Sequence, residues 1–215
     1  MGKLILLRHG QSVWNKKNIF TGWVDIPLSS AGIDEALKAG ERISSIQIDL
    51  IYTSTLIRAS MTAMLAMSKH QSGKVPAILH ESEWYKPPQD ADLIPTIVAE
   101  QLNERMYGDL QGKNKQMIKE KFGEEQFIKW RRSFATPPPN GESLKMTAER
   151  TLPYFESEII PKLAEGKTVL IAAHGNSLRS IVMKLESLSE QQVVSLEIPT
   201  GDPIIYTYDN GNFIK

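Results

Sequence analysis

The chain has 215 residues, 25 Lys and Arg against 25 Asp and Glu, and no cysteine. A hydrophobic fraction of 41% with 23% charged residues fits one globular domain and excludes a disordered chain. Zero formal charge argues against a broad footprint for nucleic acid or an acidic membrane, and the missing cysteines remove disulfides, cysteine-bound zinc and a thiolate nucleophile.

Met1-Gly2-Lys3 leads into the short apolar run Leu4 to Leu7. That run is too short for a signal peptide or a bilayer span, so the cytoplasm is the expected location. It reads instead as a buried strand. Ser29 or Ser30 caps an expected helix with Ile33, Ala36, Leu37, Gly40 and Ile43 at helical spacing. Asp49 to Thr53 reads as a strand, Leu56 to Met67 as a helix, and Val75 to Leu79 as a third strand. Pro87-Pro88-Gln89-Asp90 marks a loop. Glu100 to Arg150 is rich in Lys, Arg, Glu and Gln and reads as mostly helical. Thr168 to Ala173 is a clear buried strand, followed by a helix with Leu178, Ile181, Val182 and Leu185 on one side, and Ile204 to Tyr208 closes the pattern.

Continuous apolar strands alternating with helices imply a sheet covered on both faces. The expected fold is α/β, a three-layer sandwich with a mostly parallel central sheet. One domain spans residues 1–215, with a helical insertion at about 83–150 as a partial lid.

Two segments share a grammar. Leu4 to Gly10 and Leu170 to Gly175 each place a histidine and a glycine just past a buried strand. In a parallel sheet both histidines, His9 and His174, would meet at the carboxyl edge, where ligands bind. Each motif then runs toward a helix start, whose free N–H groups favour an anion. Such a histidine taken singly is more simply a solvated strand end; the repetition favours a shared site. His70, beside Lys69 and Gln71, is expected to be exposed, and His80 to be structural. No His-x-x-x-His helix or local carboxylate cluster suggests a metal. Arg8 beside His9 suits phosphate, which a guanidinium fork grips while a neutral imidazole attacks phosphorus. Without cysteine, histidine is the natural covalent phosphoryl carrier.

Leu7-Arg8-His9-Gly10-Gln11-Ser12 resembles the signature of the histidine phosphatase superfamily. Trp14-Asn15, Phe20-Thr21-Gly22-Trp23-Val24-Asp25, Tyr52-Thr53-Ser54 with Arg58-Ala59, Leu102 to Gly112, Trp130-Arg131-Arg132, Ala172 to Ser177 and Ile198-Pro199-Thr200-Gly201 resemble, in order, the cofactor-dependent phosphoglycerate mutases. The resemblance implies that His9 is the nucleophile and becomes phosphohistidine. Arg8, Arg58 and His174 would stabilise the transferring group, with Asn15 donating to it. Glu104 would be the general acid and base, provided its surroundings raise its pKa toward working pH. Gln11, Ser12, Thr21, Gly22, Arg105, Tyr107, Lys115, Arg131, Arg132, Gly175 and Asn176 would hold the rest of the substrate. Read singly, Arg58 or Arg131-Arg132 would be surface charge, Glu104-Arg105 an exposed ion pair, and Trp14, Trp23 and Trp130 packing residues.

The implied activity interconverts 3-phosphoglycerate and 2-phosphoglycerate in glycolysis and gluconeogenesis, primed by 2,3-bisphosphoglycerate without a metal. Partners would be small phosphoglycerates, with no nucleic acid or membrane, and the resemblance allows a homodimer. Three departures stand out. Gln11 replaces a common glutamate, Glu83 to Gln101 is longer than the familiar spacing, and Ala135 to Ser143 and the C-terminal tail are shorter. A short tail would admit water and favour hydrolysis of phosphohistidine. The alternatives are therefore a phosphomonoesterase of the same superfamily and an inactive phospholigand-binding protein.

Overall fold

A computed structural model describes residues 1–80, 82 and 90–215. The elements are β1 (Gly2–Arg8), α1 (Val13–Lys16), α2 (Ser30–Ile43), β2 (Leu50–Thr53), α3 (Ile57–Met67), β3 (Val75–Ile78), β4 (Leu93–Val98), α4 (Lys115–Phe122), α5 (Glu124–Arg132), α6 (Leu144–Tyr154), α7 (Ile160–Ala164), β5 (Thr168–Ala173), α8 (Gly175–Leu185), α9 (Glu190–Ser195), β6 (Ile204–Asp209) and β7 (Asn212–Ile214). They form one sheet in the order β3-β4-β2-β5-β1-β6-β7. The first five in that order run parallel, while β6 and β7 complete an antiparallel edge. This is the α/β sandwich expected. Among the described residues, no helix is long and apolar enough to cross a membrane.

Alternation along the central strands builds two cores. Leu4 and Leu6 of β1 and Val169, Ile171 and Ala173 of β5 face Phe155, Ile159, Leu163, Leu178 and Ile181. Ile5 and Leu7, with Leu170 and Ala172, face Ala39, Ile43, Ala63, Ala66 and Met67 of α2 and α3. Both faces of each strand are thus apolar, which is why these runs show no polar alternation. Ser29 caps α2, its hydroxyl accepting from the Gly32 N–H at 3.2 Å. Pro153 and Pro161 flank a π-helical turn at Phe155–Ile159 that joins α6 to α7. Proline donates no N–H, and a π turn is a common accommodation of a disturbed helix ladder.

Two expectations need correction. The segment assigned to the start of the insertion, within 83–150, contributes β4 to the sheet between β3 and β2. His70 is buried: its Nε2 donates to the Ile46 carbonyl, and its Nδ1 accepts from the Ser72 N–H and lies 2.7 Å from the Ser72 hydroxyl. Solvent is replaced there by local partners for both ring nitrogens. The third strand ends at Ile78. Pro87, Pro88 and Gln89 of the expected loop lie outside the described residues.

The helical segment has its own small core. Phe20, Leu110 and Ile118 are buried together, with Tyr107, Phe127 and Trp130 packed against them. It joins α4 and α5 to the loop after α1 and carries basic side chains toward the carboxyl edge of the sheet.

Candidate active site

Strand order brings the chemistry together. β5 lies between β2 and β1, so the residues leaving three adjacent strand ends are Ser54, His174 and His9. The His9 N–H donates to the Ala173 carbonyl at 2.9 Å, extending the β1–β5 ladder to the histidine itself. The imidazoles meet edge-on with ring centroids 4.9 Å apart. His9, His174 and Arg58 are 2%, 0% and 1% exposed, so their ionisation is set by the protein.

His9 Nδ1 lies 2.7 Å from the Gly10 carbonyl oxygen. A carbonyl only accepts, so in the neutral ring Nδ1 carries the proton and Nε2 keeps its lone pair. Burial, then the charges of Arg58 and Arg8, hold the His9 pKa well below its usual range against the opposing bond to Gly10. His174 Nε2 pairs with the Ser54 hydroxyl at 2.7 Å, while its Nδ1 has no protein partner. Burial, Arg58, His9, Arg150 and Arg8 likewise push its pKa well down. Gly10 is required by close approach, because a Cβ there would lie 2.2 Å from the Gly32 carbonyl oxygen.

Arg58 projects from the first turn of α3. Its guanidinium donates to the Gly22 carbonyl at 2.7 Å and the Val24 carbonyl at 3.1 Å. Burial pushes its pKa down to about 10, against the attraction of Glu104 and Asp25. Arg8 is held by the Ile198 carbonyl at 2.6 Å, leaving its Nε buried and unpartnered.

Glu104 faces the histidines and is not an exposed ion pair. Its Oε1 accepts from the Arg105 N–H at 2.8 Å, the Asn176 N–H at 3.1 Å and Asn176 Nδ2 at 2.9 Å. Burial pushes its pKa up, but Asn176, the Arg105 N–H and the charges of Arg58 and Arg8 outweigh burial, and the net shift is downward. The condition that its surroundings raise the pKa toward working pH is not met; the net direction favours the carboxylate, the form that accepts a proton.

A cavity of about 120 Å³ opens over this group. Arg8, His9, Asn15, Thr21, Gly22, Arg58, Glu104, Tyr107, Lys115, Arg131, Arg132, Gly175 and Asn176 all line it. His174 lies behind His9. Arg105 lines an adjoining recess, its guanidinium 4.6 Å from the Tyr107 ring centroid. Gln11 and Ser12 do not line the cavity. The Gln11 carboxamide accepts from the Ser29 hydroxyl, and Ser12 caps α1 by accepting from the Asn15 N–H. Ser12 thus holds the turn that bears Asn15, while the Gln11 side chain is engaged with the N-cap of α2. Burial lowers the Lys115 pKa, assisted by Arg131 and Arg8.

Arg179 and Glu197 also line the cavity and were not expected there. Glu197 pairs with Arg132 at 2.7 Å and with Arg179 at 3.6 Å. Arg179 follows Asn176 by three positions and Gly175 by four on α8, so helical spacing from those two residues could have suggested it. Nothing local marks Glu197. Trp23, expected only to pack, also donates through Nε1 to the Glu104 carbonyl.

The chemistry of this donor set suits a polyanion. Arg8 Nε, Arg105 Nε, Thr21 Oγ1 and His174 Nδ1 are buried without protein partners, all in or beside the cavity. Donor atoms of His9, Glu104 and His174 also lie within 4.8 Å of one another, a spacing that admits a metal ion. The guanidinium charges that oppose protonation of both rings oppose a metal cation in the same way.

A family model described as histidine phosphatase superfamily (branch 1) matches residues 4–84 and 87–214. A 2,3-bisphosphoglycerate-dependent phosphoglycerate mutase of Protochlamydia amoebophila (strain UWE25) is 60% identical over 223 residues, covering 100% of this chain and 99% of that protein. A protein of the same name from Chlamydia muridarum (strain MoPn / Nigg) is 57% identical over 220 residues, covering 100% and 97%. Among solved structures, Bacillus stearothermophilus YhfR aligns with a TM-score of 0.80 at 27% identity, covering 100% of this chain and 95% of that one.

Proposed function

The chain belongs to the histidine phosphatase superfamily, and from that premise we propose that it is a 2,3-bisphosphoglycerate-dependent phosphoglycerate mutase that interconverts 3-phosphoglycerate and 2-phosphoglycerate through phospho-His9. The observation that carries the reading is the 2.7 Å contact between His9 Nδ1 and the Gly10 carbonyl oxygen. The ring's Nδ1–H is tied to the Gly10 carbonyl, so Nε2 is a neutral nucleophile in a cavity lined by guanidinium groups.

Phosphoryl transfer needs positioning and a receptacle for spread negative charge. Arg8 and Arg58 supply fixed charge beside His9, and His174 lies against its ring. When bound, 2,3-bisphosphoglycerate supplies the phosphoryl group that primes His9. Glu104, already ionised, takes the proton from the substrate hydroxyl as phospho-His9 delivers its phosphoryl group to that oxygen. His9 then takes the neighbouring phosphoryl group, and Glu104 returns the proton to the oxygen left behind. Lys115, Arg131 and Arg132 hold the distal carboxylate or phosphate. This interconversion serves glycolysis and gluconeogenesis, which assigns the enzyme to the cytoplasm.

The test is a coupled mutase assay with and without 2,3-bisphosphoglycerate, run beside release of inorganic phosphate. The wild type is expected to show primed mutase turnover that exceeds phosphate release, and His9→Ala to lose both turnover and the acid-labile phosphoenzyme. Phosphate release as the dominant activity would replace the proposal with a phosphomonoesterase, and mutase turnover by His9→Ala would sink it.

A further inference from the structure

Glu104 sits on a segment that regular structure does not hold. Residues 103–107 run between single turns at Glu100–Leu102 and Gly108–Leu110, without a strand or helix of their own. Yet three donors must converge on one carboxylate oxygen, so its backbone must be placed closely.

Arg150 of α6 reaches this segment. Its Nη1 donates to the Gln101 carbonyl at 2.8 Å, and its Nη2 donates to the carbonyls of Asn103 at 3.0 Å and Glu104 at 2.9 Å. The guanidinium is itself oriented by Glu142, whose oxygens lie 2.9 Å from Nε and from Nη2. Glu142 also accepts from the Met106 N–H at 3.0 Å, and its own N–H donates to the Met106 carbonyl at 2.8 Å. The Arg150–Glu142 pair thus grips the chain on both sides of Glu104. Both side chains are mostly buried, at 18% and 16% exposure, and neither lines the cavity.

We propose that Arg150, braced by Glu142, is a positioning residue that holds Glu104 at the distance proton transfer requires. The inference rests on the reading of Glu104 as the acid and base. A planar fork explains the residue type. Arg150 serves carbonyls and a carboxylate lying in different directions, which a lysine ammonium with three hydrogens on a flexible stem does not reach together.

The experiment is a double-mutant cycle on the full chain. Arg150→Lys keeps the charge and loses the fork, and Glu142→Gln keeps the shape and loses the brace. Thermal unfolding of each variant reports the folded fraction. Each is expected to lower kcat for 3-phosphoglycerate by about 10- to 100-fold, the usual penalty for a misplacement of about an ångström, with KM within about twofold of wild type. In a Glu104→Gln background the same substitutions are expected to change kcat by less than about threefold, because the group they position is gone. Additive losses in that background, or a kcat that tracks only the folded fraction, overturn the proposal. If Glu104→Gln alone leaves kcat unchanged, the fault lies with the assignment of Glu104, and the two failures are thereby distinguished.

Discussion

Lowering the pH should weaken this fold through the two imidazoles at its centre. In the folded protein His9 and His174 are buried beside guanidinium charges, and both have pKa values well below the usual range. Unfolded, each returns to about 6.5. The unfolded chain therefore binds protons that the folded chain refuses, and stability falls as pH drops through the unfolded value. It is fully present above that value and continues to decline until the folded rings titrate. Between pH 7.5 and 5.0 the loss is about 2 kcal/mol per histidine, hence about 4 kcal/mol for the pair while the folded rings stay neutral. That is a large part of the 5–15 kcal/mol, roughly, that a domain has. Glu104, whose pKa is lowered, adds a loss of the same sign only at more acid pH. The measurement is urea unfolding at both pH values in phosphate-free buffer, because an anion bound to the folded state would mask the effect. His174→Gln is expected to halve the pH dependence, with His70 and His80 common to both proteins. A wild-type stability that is flat between pH 7.5 and 5.0, or a variant keeping the full wild-type slope, would refute the reasoning.

Other outcomes follow from the same contacts. Inorganic phosphate should raise the unfolding free energy by about 1.4 kcal/mol for each tenfold excess over its dissociation constant. Arg58→Met should lose most of that gain, and an unchanged Tm on adding phosphate to wild type would argue against an anion site. Gly10→Ala should lower stability by about 2–3 kcal/mol, since its Cβ would meet the Gly32 carbonyl oxygen at 2.2 Å; equilibrium unfolding checks this.

Legibility followed burial. β1 and β5 stood out because both faces of each are covered, so their apolar runs are unbroken. β4 did not, because Pro95 interrupts Leu93 to Val98. The sheet tolerates it there: Pro95 stands opposite Ala77 of β3, and the register with β2 begins only at Thr96. The two His-Gly motifs implied that His9 and His174 share the carboxyl edge of the sheet; their adjacency comes from the direct pairing of β1 with β5, which residue identity does not announce. The ionisation of Glu104 was not readable, since it depends on Asn176, 72 positions away. Arg150 was equally hidden: its partners at 101, 103 and 104 are about 46 to 49 positions earlier and are backbone carbonyls, which leave no mark on residue identity.

The neighbours of β1 have a consequence for biosynthesis. Among the described residues, the strands that pair with β1 are β5, at residues 168–173, and β6, at 204–209. β1 thus waits, unpaired, for strands that lie about 160 residues or more further along the chain. A ribosome adding about 5–20 residues per second leaves that apolar edge open for on the order of ten seconds. During that interval its apolar side chains are open to non-native contacts, and the pairing that follows has the high contact order of a slow folder. His9 and His174 directly follow β1 and β5, so the two rings are brought together only when those strands pair.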